Sequence, residues 1–196
     1  MSKKFLFTGT ISVGKSTTLE HLRRLNLPDV SFVNEVARDL MNISPDRVID
    51  SAKPGVLPNM GDIIFEEQIR RETEAEKLGA KIILCDRGPL DIITHARVFG
   101  SVVKKEWEER VGTYNLIFYF RKEGVPFNPD SYPAGVNWAQ FREDLDQQTR
   151  LFLASCDVAQ QEVTGNFEQR IEVIRGYFDH LNQSPEGGFI SSKERL

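Results

Sequence analysis

The sequence predicts an α/β protein in which a parallel sheet is covered by helices on both faces. Three observations support this fold: apolar strand patterns alternate with amphipathic helical patterns, the strand patterns are almost uniformly apolar, and a glycine-rich segment follows the first strand. Strands buried on both faces have continuous apolar sequences, and parallel strands need helical crossovers. Ligands of such sheets bind beyond the carboxyl ends of the strands, so functional side chains are expected where strands end.

Length and composition indicate one ordinary α/β domain. The chain has 196 residues, of which 40% are hydrophobic and 28% are charged, with a net charge of −4. We expect a single domain over residues 1–181 and a polar tail over residues 182–196. The acidic balance provides no basic stripe for a nucleic-acid backbone, and no apolar run reaches the roughly twenty residues that cross a membrane. We therefore expect a cytoplasmic protein without nucleic-acid or membrane partners.

The most informative segment is residues 9–16 (GTISVGKS), which are separated from the apolar residues 5–7 by Thr8 alone. The segment matches the phosphate-binding pattern G-x-x-x-x-G-K-[ST], with strand, loop and helix in the required order. Glycines let main-chain N–H groups surround phosphate oxygens at the positive end of a helix. Lys15 would reach the β- and γ-phosphates of a nucleotide, and Ser16 would hold Mg²⁺. The predicted nucleotide-binding residues are Gly9, Thr10, Ser12, Val13, Gly14, Lys15, Ser16 and Thr17.

Two charged residues follow the third predicted strand, residues 81–85. Asp86 is the only carboxylate directly after such a buried-strand pattern, and two catalytic roles are open to it: it could hold a Mg²⁺-bound water or accept the proton of an acceptor hydroxyl. A helix N-cap before Pro89 would need the same short carboxylate. Arg87 would contact the acceptor or the transferred phosphoryl group, because a planar guanidinium binds two oxygens at once.

Glu35 and Arg38 begin the helix after the second predicted strand, and their spacing lets both reach the same cleft, where they would hold a polar acceptor. The alternative is a local surface ion pair, which contributes at most about 1 kcal/mol. A long helix is predicted over residues 63–78 with Asp62 as its cap. Gln68, on the inner part of this helix, could pair with and stack on a base.

Two long connections rich in proline and glycine interrupt the regular pattern, residues 42–61 and about 121–142. The first predicts an irregular loop over the site, and the second predicts a lid. Arg121 follows the fourth strand, whereas Arg142 and Arg150 lie on the next predicted helix. Because phosphoryl transfer spreads negative charge over oxygens, Arg121 or Arg142 would assist at the transition state. Each arginine by itself also fits a solvated position.

Five segments together resemble NadR-like P-loop proteins, which include the ribosylnicotinamide kinase domain of the bifunctional NAD regulator and many small phage and bacterial AAA-domain ATPases and kinases. The segments are residues 9–16, 34–38, 85–88, 114–120 and 165–170. The Asp-Arg pair at 86 and 87 also resembles the strand-end motif of thymidylate kinases and deoxyribonucleoside kinases. The resemblance implies a P-loop NTPase fold: a three-layer sandwich with a five-stranded parallel sheet of kinase-like order and a lid. It also implies ATP, Mg²⁺ and a nucleoside- or nucleotide-like acceptor.

The function expected from these features is ATP- and Mg²⁺-dependent phosphoryl transfer to a small nucleoside- or nucleotide-like acceptor. The main alternative is a nucleotide-dependent switch or ATPase without a small acceptor. A binding protein without turnover is less consistent with the presence of Lys15, Ser16 and Asp86 together. No N-K-x-D motif is present to read guanine, and with 196 residues we do not expect the additional helical domain of an AAA machine. A homodimer is compatible with the sequence.

Overall fold

The computed structural model describes residues 2–43, 57–132 and 135–183. At its centre lies a sheet of five strands: β1 (Lys3–Thr8), β2 (Val30–Val33), β3 (Ile82–Asp86), β4 (Leu116–Phe120) and β5 (Gln160–Val163). The strand order is β2-β3-β1-β4-β5, and every pairing is parallel. The α/β class, the five-stranded parallel sheet and its kinase-like order are therefore confirmed.

Helices cover both faces of this sheet. Within the described residues they are α1 (Lys15–Arg24), α2 (Val36–Ile43), α3 (Leu57–Lys77), α4 (Pro89–Val98), α5 (Lys105–Val111), α6 (Trp138–Ser155) and α7 (Phe167–Gln183). On one face, Phe5 and Phe7 of β1 pack with side chains of α1 and α7. On the other face, Leu6 packs in a cluster with side chains of α3, α4, α5 and α6. Successive residues of one strand thus serve opposite layers, which produces the three-layer sandwich.

The register of the strands brings their carboxyl ends to one edge. Phe7 of β1 lies opposite Asp86 of β3, and Thr8 lies opposite Tyr119 of β4. Val33 at the end of β2 is paired with the residue before Asp86. The segments that follow β1, β2 and β3 therefore begin next to one another, and these segments carry the predicted site residues.

The start of helix α3 differs from the sequence prediction. The helix begins at Leu57, so Asp62 lies inside it and is not its cap. Pro58 lies in the first turn, where a helix needs no N–H donor. Gly61 faces Trp107, and a Cβ at residue 61 would lie 2.8 Å from that indole ring. Pro58 and Gly61 contributed to the loop prediction, but both lie in α3. Pro58 lies in its first turn, and Gly61 lets the helix approach α5 closely.

The predicted lid, residues 121–142, contains a short 3₁₀ helix, Pro129–Ser131, and the first turn of α6. Helix α6 begins after Asn137, whose side chain accepts a hydrogen bond from the N–H of Gln140 at 3.2 Å.

Much of the predicted loop over residues 42–61 and most of the predicted tail lie outside the described residues. No helix in the described ranges has the length and apolar character needed to cross a bilayer.

Candidate active site

The segment after β1, residues 9–16, forms a loop that leads into the first turn of α1, and the shape of this loop depends on two glycines. Gly9 has a φ of 136°, and a Cβ at this residue would lie 2.5 Å from the carbonyl oxygen of Phe120. Only glycine lets the loop pass the end of β4 so closely. Gly14 has a φ of 85° and is the N-cap of α1. The first N–H groups of α1 have no partner within the helix, so this end favours an anion.

Lys15 is buried inside this phosphate loop. Its Nζ donates hydrogen bonds to the carbonyl oxygens of Gly9 at 2.8 Å and Thr10 at 2.7 Å. Burial and, to a smaller extent, the positive charge of Arg87 lower the pKa of Lys15 to about 7. Within the described residues no carboxylate lies within ion-pair distance of this amine. The hydrogen bonds of Lys15 thus go to main-chain carbonyl groups, while the carboxylates of Asp91, Asp86 and Glu35 act on its charge from a distance. These hydrogen bonds can be exchanged for bonds to phosphate oxygens.

Asp86 lies at the end of β3, next to the first turn of α1. Its Oδ1 is buried and has no hydrogen-bond partner among the residues that the structure describes. Burial raises the pKa of Asp86, and a hydrogen bond with Ser16 opposes the shift. Gly88, and not Asp86, is the N-cap of α4, so the capping alternative is wrong. A buried carboxylate with an unpartnered oxygen beside a serine hydroxyl fits the oxygen ligands that Mg²⁺ takes beside phosphates.

Arg87 joins the phosphate loop to the segment after β2. Its guanidinium contacts Glu35 Oε1 at 2.9 Å and Asp91 Oδ1 at 2.7 Å, and it donates to the carbonyl oxygen of Gly9 at 3.3 Å. Burial alone would lower the pKa of Arg87, but the carboxylates of Asp91 and Glu35 raise it, so the side chain stays charged. The φ of 68° is unusual for a residue with a side chain. Such backbone strain is typical of functional positions.

Glu35 lies between two arginines at the wall of a cavity of about 240 Å³. Its second oxygen is 2.6 Å from Nη2 of Arg38. Burial raises the pKa of Glu35, but Arg87 and Arg38 together lower it below its ordinary value. Because the Glu35 side chain is only 12% exposed and contacts both arginines, it is more than a local surface ion pair. The cavity lining includes Ser16, Phe32, Asn34, Glu35, Arg38 and Asp86.

The predicted lid arginines have different environments. Arg142 is buried, and its Nε donates to the carbonyl oxygen of Ile11 in the phosphate loop at 3.4 Å. In contrast, the Arg121 guanidinium binds Glu123 at 2.9 Å and Glu162 at 2.7 Å. The structure therefore places Arg142, and not the Arg121 side chain, against the phosphate loop.

The other predicted side chains have partners of their own. Gln68 is buried, and its Nε2 donates to Glu72 Oε1 at 2.9 Å. Glu72 also binds Lys4 at 3.3 Å, so the Gln68 amide belongs to a buried polar cluster and does not line the cavity. Arg150 binds Asp146 at 2.9 Å on its own helix.

Sequence reasoning missed two residues on α4 and one on α7. Asp91 is the partner of Arg87, and its Oδ2 accepts a hydrogen bond from the N–H of Gly88 at 3.2 Å. Its i+4 spacing from Arg87 was the available signal. His95 donates through Nδ1 to the Asp91 carbonyl oxygen at 2.6 Å, and burial lowers the pKa of this histidine to about 4, so its ring is neutral. Arg170 donates to the Val13 carbonyl oxygen of the phosphate loop, and no sequence pattern indicated that contact.

The chain resembles several solved structures at low sequence identity. Deoxyadenosine kinase from M. mycoides, with products dCMP and a flexible dCDP bound, has a TM-score of 0.61 and 14% identity over 90% of this chain and 99% of that chain. The same enzyme with bound dATP has a TM-score of 0.59 and 13% identity, with the same coverage of both chains. NadR protein in complex with NAD and AMP-PNP has a TM-score of 0.60 and 17% identity over 91% of this chain. The match covers 50% of that NadR chain, so this chain corresponds to about half of it.

A family model described as an AAA domain matches residues 4–170. No curated protein matches the chain. The family match and the likeness to NadR and deoxyadenosine kinase confirm the resemblance inferred from the five sequence segments. The chain belongs to the AAA domain family, with the P-loop fold of NadR-like kinases.

Proposed function

We propose that the protein transfers the γ-phosphoryl group of ATP, with Mg²⁺, to a hydroxyl of a small nucleoside- or nucleotide-like acceptor. One observation carries this proposal: Glu35, Asp86 and Arg87 meet at the phosphate loop, beside a cavity of about 240 Å³. An ATPase or switch without an acceptor needs the loop but has no need of such a cavity. The similar structures contain bound dCMP, dATP or AMP-PNP, and these ligands agree with the proposed substrate class.

On the phosphate side, the loop N–H groups and Lys15 would bind the triphosphate, and Ser16 and Asp86 would hold Mg²⁺. When bound, Mg²⁺ supplies positive charge to the phosphoryl oxygens. The Lys15 amine contacts main-chain oxygens at 2.7 and 2.8 Å, so it is already within the loop before a nucleotide arrives. A preorganised cation of this kind stabilises charge that grows as the phosphoryl group leaves.

On the acceptor side, Glu35 is the group best suited to receive the hydrogen bond of an acceptor hydroxyl. The two neighbouring arginines keep its carboxylate ionised, and it lines the cavity. Asp86 lines the same cavity, and its buried Oδ1, which has no hydrogen-bond partner among the described residues, lies beside Ser16, which favours the metal role over the base role. Arg87 contacts both Glu35 and the loop, so it would orient the acceptor against the phosphoryl group.

We further propose that residues 121–142 act as a lid over a single domain of residues 1–181. The Tyr132 hydroxyl forms a hydrogen bond with the Ser12 hydroxyl of the phosphate loop, and this contact supports the lid role. Because Arg142 donates to the Ile11 carbonyl oxygen in the same loop, it is a stronger candidate than Arg121 for assisting transfer, and it would do so by positioning the loop. A base-binding role of Gln68 would require its amide to leave Glu72.

The test measures ATP consumption with Mg²⁺, with and without a panel of nucleosides and nucleoside monophosphates. We expect turnover that one class of acceptor stimulates. Hydrolysis that ignores every acceptor would favour the ATPase or switch, and binding without turnover would favour a binding protein. The Glu35→Gln variant should lose acceptor-stimulated turnover and keep nucleotide affinity, whereas Glu74→Gln, at an exposed position of α3, serves as the matched control.

A further inference from the structure

Two buried arginines from different helices contact main-chain carbonyl groups of the phosphate loop. Arg142 of α6 donates from Nε to the carbonyl oxygen of Ile11 at 3.4 Å. Arg170 of α7 donates from Nη1 to the carbonyl oxygen of Val13. Only 8% of Arg142 and 4% of Arg170 are exposed. The two guanidinium groups therefore hold alternate peptide groups of the same short loop.

Arg170 also ties the phosphate loop to two neighbouring segments. Its Nε donates to the carbonyl oxygen of Gly165 at 2.8 Å, and its Nη2 donates to the carbonyl oxygen of Arg121 at 3.3 Å. Across the described ranges no carboxylate lies within ion-pair distance of Arg170. Burial without a counterion lowers the pKa of Arg170 from its ordinary value. Three main-chain carbonyl groups thus hold this cation, and in the part of the chain that the structure describes no carboxylate pairs with it.

The direction of these contacts determines the direction of the neighbouring N–H groups. In a trans peptide the C=O of one residue and the N–H of the next point in opposite directions. An arginine that holds the Val13 carbonyl on one side therefore directs the Gly14 N–H to the other side. The same geometry relates the Ile11 carbonyl to the Ser12 N–H. The loop must present such N–H groups inward if it is to surround phosphate oxygens.

We propose that Arg170, together with Arg142, is a positioning residue for the triphosphate: it orients the loop amides toward the phosphates and adds an uncompensated positive charge behind them. A cation in a poorly solvated position attracts a polyanion more strongly than a surface cation does. The ligand class is a nucleoside triphosphate or inorganic tripolyphosphate, since the two arginines would act through the Ile11 and Val13 carbonyl groups of the phosphate loop. This inference rests on the proposed nucleotide-binding function.

The experiment compares wild type, Arg170→Gln and Arg170→Lys by calorimetric titration with Mg-ATP and with Mg-tripolyphosphate, well below the unfolding temperature. Arg175→Gln, at an exposed position of the same helix, is the matched control. We expect Arg170→Gln to weaken both ligands by about tenfold to a hundredfold, the range for hydrogen bonds that involve a charged group. Arg170→Lys keeps the charge but cannot span three carbonyl groups, so it should restore only part of the affinity.

The outcomes separate this inference from the proposed function. If wild type binds neither ligand, the proposed function fails. If wild type binds and Arg170→Gln binds tripolyphosphate equally well while unfolding at a lower temperature, Arg170 is merely structural and the inference is overturned. If Arg170→Gln does not fold, Arg170→Lys decides the question: wild-type affinity overturns the inference, and a loss of affinity in both titrations supports it.

Discussion

The phosphate loop and the acceptor cavity are neighbours, but their cations are neutralised in different ways. On the loop side, Lys15, Arg142 and Arg170 all donate to main-chain carbonyl oxygens. On the cavity side, Arg87 and Arg38 form ion pairs with carboxylates. Carbonyl dipoles offset only part of a buried charge, whereas a carboxylate offsets nearly all of it. The site therefore has a positive half suited to a polyanion and an electrically balanced half suited to an uncharged hydroxyl group.

The largest expected effect comes from removing the central cation of the positive half. Lys15→Ala should lower ATP turnover on the order of a thousandfold, because the lost charge acts on the departing phosphoryl group. ATP consumption measured under saturating Mg²⁺ checks this. Lys77→Ala, at an exposed position of α3, should retain wild-type turnover. Substantial activity in Lys15→Ala would mean that the loop is not the phosphate site.

The next effect concerns the carboxylate at the boundary of the two halves. Asp86→Asn should reduce Mg²⁺-dependent turnover about a hundredfold. Because burial raises the pKa of Asp86, its ionised form destabilises the folded protein above the ordinary carboxyl pKa of 3.8. The variant without nucleotide should therefore unfold at a higher temperature than wild type at pH 7. Calorimetry checks this, with the exposed Asp157→Asn as control; lower stability together with full turnover would contradict the metal role.

The balanced half is tested by breaking its ion pairs. Arg87→Met leaves Asp91 without its ion-pair partner and Glu35 with Arg38 alone. Breaking a buried pair in this way lowers the free energy of unfolding by about 3 to 5 kcal/mol. Turnover should fall by about tenfold to a hundredfold, more than ATP affinity falls. Adding Asp91→Asn removes one stranded carboxylate and should recover part of the stability without recovering turnover. Recovery of both would reduce Arg87 to a structural residue.

A smaller effect is the pH dependence of the positive half. Since the pKa of Lys15 falls from 10.5 to about 7 on folding, the folded protein binds fewer protons than the unfolded chain between these values. Without nucleotide, the free energy of unfolding of the wild type should therefore rise with pH between about 7 and 10.5. The rise should be steeper than in the Lys15→Met variant, which lacks the amine. ATP favours the charged amine, so ATP affinity should fall by up to about tenfold per pH unit above 7. Calorimetric titrations with ATP above pH 7, in buffers of different ionisation enthalpy, should show that the protein takes up a proton when ATP binds. If no proton is taken up, the lowered pKa of Lys15 is contradicted.

Much of the fold was predictable because its signals are local. The apolar runs of β1, β3 and β4 are buried on both faces, and their sequences show it directly. The start of α3 was not predictable, since a proline and a glycine normally interrupt a helix. Gly61 is tolerated there because Trp107, more than forty residues away in the sequence, needs the space that a Cβ would fill. Packing between distant segments overrode the local preference.

By itself the sequence determined the phosphate loop, the strands that precede the charged residues, and the placement of Glu35, Asp86 and Arg87 at one edge of the sheet. These features depend on the chemistry of short segments and on the parallel topology. Only the tertiary structure decided which partners neutralise each cation. Arg170 contacts Val13 from 157 residues away, and no local pattern encodes which carbonyl group a buried guanidinium will reach. The carbonyl group that each guanidinium reaches depends on how the helices pack on the sheet, because packing determines which few polar atoms lie near each buried charge.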